Sequence, residues 1–285
     1  MDGRRNGALA ALVFVLFVLA GCVSPVRGPM QGVAATPPTE SGPTVANHLQ
    51  SRYDDTSRDC RGTPAVLCSG VLMRGTTWST AFHSWIPNPS TSAGGVSFSW
   101  LRQDSNFVAA AYPNGFIVYP HFYSDDPYFY QLVVNCGYVV NAGTGSLADK
   151  CRVPCHRQNI FTSAQWLATF PSGAGCAFKI APGDAAPNPA DAWMQIVNVR
   201  QARNITTWNE ILVATWPQNT HVNMPLEAFF YTNGSASGRS SAQNDQRDFR
   251  ATAGRWVPVI RWTPATSLGG RARFEYNASD QAITQ

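Results

Sequence analysis

Gly94-Gly95-Val96-Ser97-Phe98-Ser99-Trp100 follows a glycine pair with alternating apolar and hydroxyl side chains. A two-residue period puts Ser97 and Ser99 on one side and Val96 and Phe98 on the other, the pattern of a β-strand with two different faces. Segments of the same kind recur along the chain. They are Ser69-Gly70-Val71-Leu72-Met73, Gly115-Phe116-Ile117-Val118-Tyr119, Gln131-Leu132-Val133-Val134, Ile211 through Trp216, Leu226 through Tyr231, and Trp256 through Trp262. Each is short and rich in β-branched or aromatic residues, and most are bounded by Gly, Pro or Asn. Pro258 has no N–H for a ladder, so the last strand is expected to be an edge or to begin there.

Helices are fewer. Asn188-Pro189 offers a cap and a first-turn proline to Ala190–Arg203, where Trp193, Ile196, Val197 and Arg200 share a face. Ser163–Phe170 reads as a second short helix capped by Thr162 or Ser163, and Phe107–Tyr112 as a third. Strands separated by irregular segments, with few helices, predict an α+β domain rather than a doubly wound α/β sheet. The domain is expected over residues 49–265. Residues 23–48, rich in Pro, Gly, Ser and Thr, read as a flexible tether, and 266–285 as a disordered tail.

The N-terminus carries Arg4 and Arg5, an apolar run from Ala8 to Ala20, then Leu19-Ala20-Gly21-Cys22. A basic start, a short apolar core and small residues at a cut site describe a secretory signal over residues 1–22. The last four residues resemble the lipobox of bacterial lipoproteins, which implies a lipid on Cys22 and attachment to a membrane. Val23 after the cysteine suggests the outer membrane by the same resemblance; without lipidation the protein would be secreted. Of seven cysteines, six remain once Cys22 is set aside: Cys60, Cys68, Cys136, Cys151, Cys155 and Cys176. An even set in an exported chain predicts three disulfides, with the pairing left open. No Cys-x-x-Cys pair occurs, and Cys151-x-x-x-Cys155 beside His156 is a poor ligand set, so no metal is expected. The net charge of +4, one less once the signal is removed, is too mild for nucleic acid.

Familiar catalytic motifs are absent. There is no His-Glu-x-x-His, no Gly-x-Ser-x-Gly elbow, no phosphate loop and no dinucleotide fingerprint, and the five histidines are scattered. An ordered trio appears instead. Arg74 ends an apolar strand before Gly75, Ser97 and Ser99 share a strand face, and Glu210 opens the apolar run Ile211-Leu212-Val213. That order resembles the ADP-ribosyltransferase fold, in the branch of the cholera and pertussis toxin catalytic subunits. There an Arg ends the first strand, a Val-Ser-Thr-Ser segment follows, and a Glu opens a late strand. The wider wording is similar to the halovibrin family, secreted bacterial enzymes described as NAD glycohydrolases. It is carried by Tyr53-Asp54-Asp55-Thr56, Thr63-Pro64-Ala65, Leu67 through Val71, His83-Ser84-Trp85, Gly94 through Trp100, Leu212 through Trp216 and Leu226 through Tyr231.

The resemblance implies a mixed or antiparallel, disulfide-stabilised β core with few helices, acting on NAD as substrate with no cofactor. Glu210, Arg74 and Ser97 would be the catalytic set, with Arg74, Ser99 and Trp208 at the substrate. Two departures stand out. Trp208 occupies the position where transferases of this kind carry Glu or Gln for the acceptor side chain. Water is thereby favoured as acceptor, with a host protein as the other candidate. The lipobox is the second, since halovibrins are soluble. Breaking the nicotinamide–ribose bond builds positive charge on the ribose, which a carboxylate such as Glu210 can stabilise. Arg74 suits the diphosphate by bidentate hydrogen bonding. Glu227, inside an apolar strand, is the rival carboxylate. The competing expectation is a non-catalytic, disulfide-rich surface lipoprotein that binds carbohydrate or protein through its Trp and Tyr residues, including the cluster from Tyr119 to Tyr130.

Overall fold

The computed structural model describes residues 39–58, 65–76, 96–105, 107–108, 112–119, 134–140, 162–169, 178–179, 189–213 and 226–285. The signal with Cys22, most of the tether, the aromatic cluster after Tyr119, and Cys60, Cys151, Cys155 and Cys176 lie outside them.

The described residues form an α+β domain around one open sheet. Its strands are β1 (Val71–Gly75), β2 (Val96–Leu101), β3 (Asn114–Val118), β4 (Val134–Tyr138), β5 (Phe178–Lys179), β6 (Glu210–Val213), β7 (Leu226–Thr232), β8 (Val259–Thr263) and β9 (Arg273–Tyr276). The order across the sheet is β5-β4-β6-β2-β1-β3-β7-β8-β9. Every neighbouring pair is antiparallel except β7 and β8. That parallel pair is joined through helix α4 (Ala236–Ala253), because parallel strands need a long crossover.

The central strands are buried on both faces, and their alternation sorts residues into two cores. Leu72, Phe98, Trp100, Phe116, Val118, Phe229 and Tyr231 enter one. Val71, Met73, Leu101, Ile117, Ala228 and Phe230 enter the other. Helices α2 (Ser163–Thr169), α3 (Pro189–Ala202) and α4 cover the first core with Trp166, Ile196, Val197, Ala242 and Phe249. Helix α1 (Gly42–Asp54) covers the second with Val45, Leu49 and Tyr53. Each such side chain contributes about 1.5–3 kcal/mol by leaving water.

Local chemistry accounts for the helix ends. Pro189 opens α3 where a missing N–H costs nothing. Thr162 caps α2: its Oγ1 accepts from Gln165 N at 3.1 Å, and the Gln165 side chain accepts from Thr162 N at 3.1 Å. Helix α4 starts at Ser235, whose side chain accepts from Gly238 N, and stops at Gly254, whose φ of 67° suits glycine.

Three expectations are corrected. The segment Phe107–Tyr112 does not begin as a helix; Phe107 and Val108 are irregular, and Phe107 is fully buried. The tether ends sooner than residue 48, because Ser41 caps α1 and Val45 and Ala46 already reach the core. Residues 266–285 are not a disordered tail. They supply β9 and a final 3-10 turn, Ala278–Asp280, where Asp280 is buried and accepts from the Tyr231 hydroxyl at 2.7 Å. Their polar composition concealed this because few apolar side chains, Ala272 and Phe274 among them, reach the core, and side-chain hydrogen bonds do much of the rest. Pro258 marks the start of β8, which lies inside the sheet between β7 and β9. Cys68 is disulfide-bonded, and Cys136 lies on β4. No helix among the described residues is long and apolar enough to cross a membrane.

Candidate active site

The sheet order makes β6, β2 and β1 consecutive neighbours. Glu210, Ser97 with Ser99, and Arg74 therefore lie on three adjacent strands, although the sequence scatters them. Ser97 pairs with Leu212 and Phe98 with Ile211. One further step of that register brings Ser99 opposite Glu210. On its other side Glu210 pairs with Tyr138 of β4. Glu210 is 5% exposed and Ser99 6%, so the carboxylate sits in the protein rather than on a solvated face.

Pleating gives the site two sides. Met73 pairs with Ser99, and cross-strand partners share a face, so Met73, Ser99 and Glu210 point one way. Arg74 pairs with Phe116 and leaves β1 from the other face. Its guanidinium turns to the end of β2, where Nη1 donates to the Ser97 carbonyl at 2.6 Å. Burial lowers the guanidinium from its ordinary value, while the charges of Tyr112 and Glu210 hold it up. Gly75 follows because Tyr112 packs there: a β-carbon at Gly75 would overlap the Tyr112 ring.

The two serines divide their work differently from the sequence expectation. Ser97 serves Arg74 through its backbone carbonyl. Ser99 is the serine whose hydroxyl reaches the Glu210 strand, donating to the Asn209 carbonyl at 2.7 Å. Asn209 itself was missed by sequence reasoning. Its side-chain Oδ1 accepts from Trp100 N at 2.8 Å and its Nδ2 donates to Trp100 O at 2.8 Å. An asparagine before a strand reads as a turn residue; its near-complete burial, at 1% exposed, is what no local signal announced.

Trp208 is corrected from substrate contact to core residue. It is 4% exposed, stacks on Phe107 at 5.0 Å between ring centroids, and meets Tyr112 and Trp262 edge-on. Alternation gives Trp208 the same face as Glu210, and its ring joins the α1-side core.

Glu227 is buried as well, in a different setting. The β3–β7 register shifts between Ile117 and Val118, which pair with Ala228 and Leu226, so Glu227 is the extra residue of a bulge. Its Oε2 accepts from Arg52 Nη2 of α1 at 2.6 Å, while Oε1 has no hydrogen-bond partner among the described residues. Burial pushes its carboxyl up, and Arg52 opposes that. Nearby, Glu40 accepts from the Tyr119 hydroxyl at 3.3 Å and contacts His48 at 3.2 Å.

A separate concavity of about 500 Å³ is lined by Thr56, Asp104, Arg200, Gln201, Asn204 and Leu268. Burial pulls Arg200 down to about 9, which leaves it cationic near neutrality. Each of its nitrogens already donates, to Ser105 Oγ, Val139 O and Thr207 O, so the concavity offers no ready anion clamp. Among the described residues no group of His, Cys, Asp and Glu is arranged to hold a metal. No protein-family model, no curated protein and no solved structure matches this chain.

Proposed function

We propose that this protein is an exported NAD-cleaving enzyme, an NAD glycohydrolase related in its site to mono-ADP-ribosyltransferases. The observation that supports this most is the adjacency of β6, β2 and β1, the strands of Glu210, Ser97 with Ser99, and Arg74, together with the turn of the Arg74 guanidinium from the other face to the Ser97 carbonyl. Glu210 stabilises the oxocarbenium-like ribose as nicotinamide leaves with the bonding electrons, and water then adds to the anomeric carbon. Nicotinamide is a good leaving group, so no general acid is required. Among the described residues Arg74 gives one N–H to the Ser97 carbonyl, and the guanidinium binds the diphosphate. A packing role for Trp208 leaves no acceptor-binding side chain at that position, in keeping with water as acceptor. The rival reading is a binding module that uses surface aromatics; among the described residues Trp100, Trp166, Trp208, Trp256 and Trp262 are buried, while most of the cluster from Tyr119 to Tyr130 lies outside them.

The deciding assay incubates the purified domain with NAD and measures free nicotinamide. Glu210→Gln keeps the size of the side chain and removes its charge. It should lower turnover about 10²–10³-fold while changing NAD binding far less. Arg74→Ala should weaken binding too, because the diphosphate is charged throughout the reaction. Near-normal turnover in Glu210→Gln would remove the basis of the proposal. Export with a lipidated Cys22 and three disulfides completes it. Mass spectrometry of protein from the cell envelope should find an acylated N-terminal Cys22 and no free thiols; an unmodified start downstream of Cys22 would refute the lipid anchor.

A further inference from the structure

We infer that Asn209 is a positioning residue for Glu210, acting as a side-chain clip between β6 and β2. The inference rests on the NAD-cleaving reading for its catalytic meaning, but its structural part stands alone. The ladder pairs Phe98 with Ile211, and its continuation would place Asn209 opposite Trp100. At that position the Asn209 side chain makes the bonds to Trp100. Oδ1 accepts from Trp100 N and Nδ2 donates to Trp100 O, each at 2.8 Å. The Asn209 carbonyl accepts from Ser99 Oγ at 2.7 Å. Three hydrogen bonds, all to β2, thus hold the residue immediately before the carboxylate.

The far side of the clip is fixed too. Trp100 is fully buried, and its indole N–H donates to Ser69 O at 2.9 Å. Asn209 is buried, so each bond lost leaves a polar group without water. The amide fits because it carries both a donor and an acceptor at the right reach. Aspartate keeps the acceptor for Trp100 N but sets a carboxylate oxygen against Trp100 O. Leucine keeps the branched shape, with bulkier methyl groups, and loses both bonds. Glu210 in turn depends on placement, since a carboxylate misplaced by about 1 Å from a developing cation can lose about 10²-fold in rate.

The test measures nicotinamide release from NAD at saturation, normalised to folded protein, for Asn209→Leu, Asn209→Asp and Ser99→Ala. Asn209→Leu should lower kcat about 10–10²-fold with KM changed less than about twofold, because Arg74 on β1 is untouched. Asn209→Asp and Ser99→Ala should fall between it and the wild type. In a Glu210→Gln background Asn209→Leu should add little, because the group that it positions has lost its function. A residue that mattered only for stability would keep its effect there. Hydrogen exchange at the Trp100 amide, measured on the same proteins, should quicken in Asn209→Leu. Wild-type kcat in folded Asn209→Asp and Asn209→Leu, or full additivity with Glu210→Gln, overturns the inference. If the wild type releases no nicotinamide, the enzymatic reading has failed and the positioning role fails with it. The Trp100 amide then still reports whether the clip exists.

Discussion

At the scale of single residues, chemistry and packing partners rather than degree of burial decide role. Trp208 and Glu210 are two positions apart and point to the same side, yet one is core and the other is the candidate catalyst. Trp208 fills space between Phe107, Tyr112 and Trp262. Trp208→Ala should therefore cost about 3–5 kcal/mol in stability, read as a lower urea midpoint. Trp208→Phe should cost less and leave KM for NAD unchanged. A raised KM in a Trp208→Phe protein of normal stability would return Trp208 to the substrate. Glu227 illustrates the converse. Its carboxylate fits the sequence description of a catalyst, but a bulge turns it to Arg52, and that pair ties α1 to the sheet.

At the scale of elements, three side-chain amides do the work of strands. Asn209 bonds to Trp100 N and O. Gln281 accepts from Val259 N and donates to Val259 O, both at 2.8 Å. Gln50 of α1 accepts from Phe274 N of the edge strand β9 and donates to Ala272 O just before it. The last covers backbone groups that would otherwise template pairing with another chain. Gln246 of α4 adds to the C-terminal clasp by donating to Val257 O and accepting from Ala282 N, each at 2.8 Å. Deleting residues 277–285 removes Asp280 from Tyr231 and Gln281 from Val259. Stability should fall by at least about 3 kcal/mol, measured by chemical denaturation; an unchanged midpoint would make the segment the loose tail that its composition suggests. Much of the strand set was legible, because period-two runs such as 71–75, 96–101 and 226–232 need only local pattern. Helices α1 and α4 were not. In α4 the core-facing set is Gly238, Ala242, Asp245, Gln246 and Phe249, too polar for an apolar stripe, and Gly42-Pro43 at the start of α1 reads as linker. The candidate site was named from the order of Arg74, Ser97, Ser99 and Glu210 alone. The contribution of Asn209 was not, since it depends on a register between segments distant in sequence.

At the scale of the whole molecule, the buried Glu227 makes stability depend on pH. Its folded pKa lies above the ordinary value of 4.5, chiefly through burial. The folded state therefore holds this proton more tightly than the unfolded chain. The stabilisation is complete below 4.5 and is lost as pH rises through the folded pKa. Glu227→Gln retains an acceptor for Arg52 and removes the titration. Relative to the wild type, the variant should gain stability as pH climbs from about 4.5 to about 8, measured by urea midpoints across that range. Parallel curves for the two proteins would show that Glu227 does not carry this dependence.

The order of strands also sets when the protein can act. Trp100 and Asn209 meet although they lie 109 residues apart in sequence. A contact of that span closes a long loop before it gains anything, so such pairings form slowly. Until β6 slots between β4 and β2, the carboxylate is not in the same place as the arginine. A chain held unfolded for passage across a membrane would carry every residue of the machinery and none of the activity. On the proposed reading as an exported NAD-cleaving enzyme, its producer's own NAD would be spared until folding finished elsewhere.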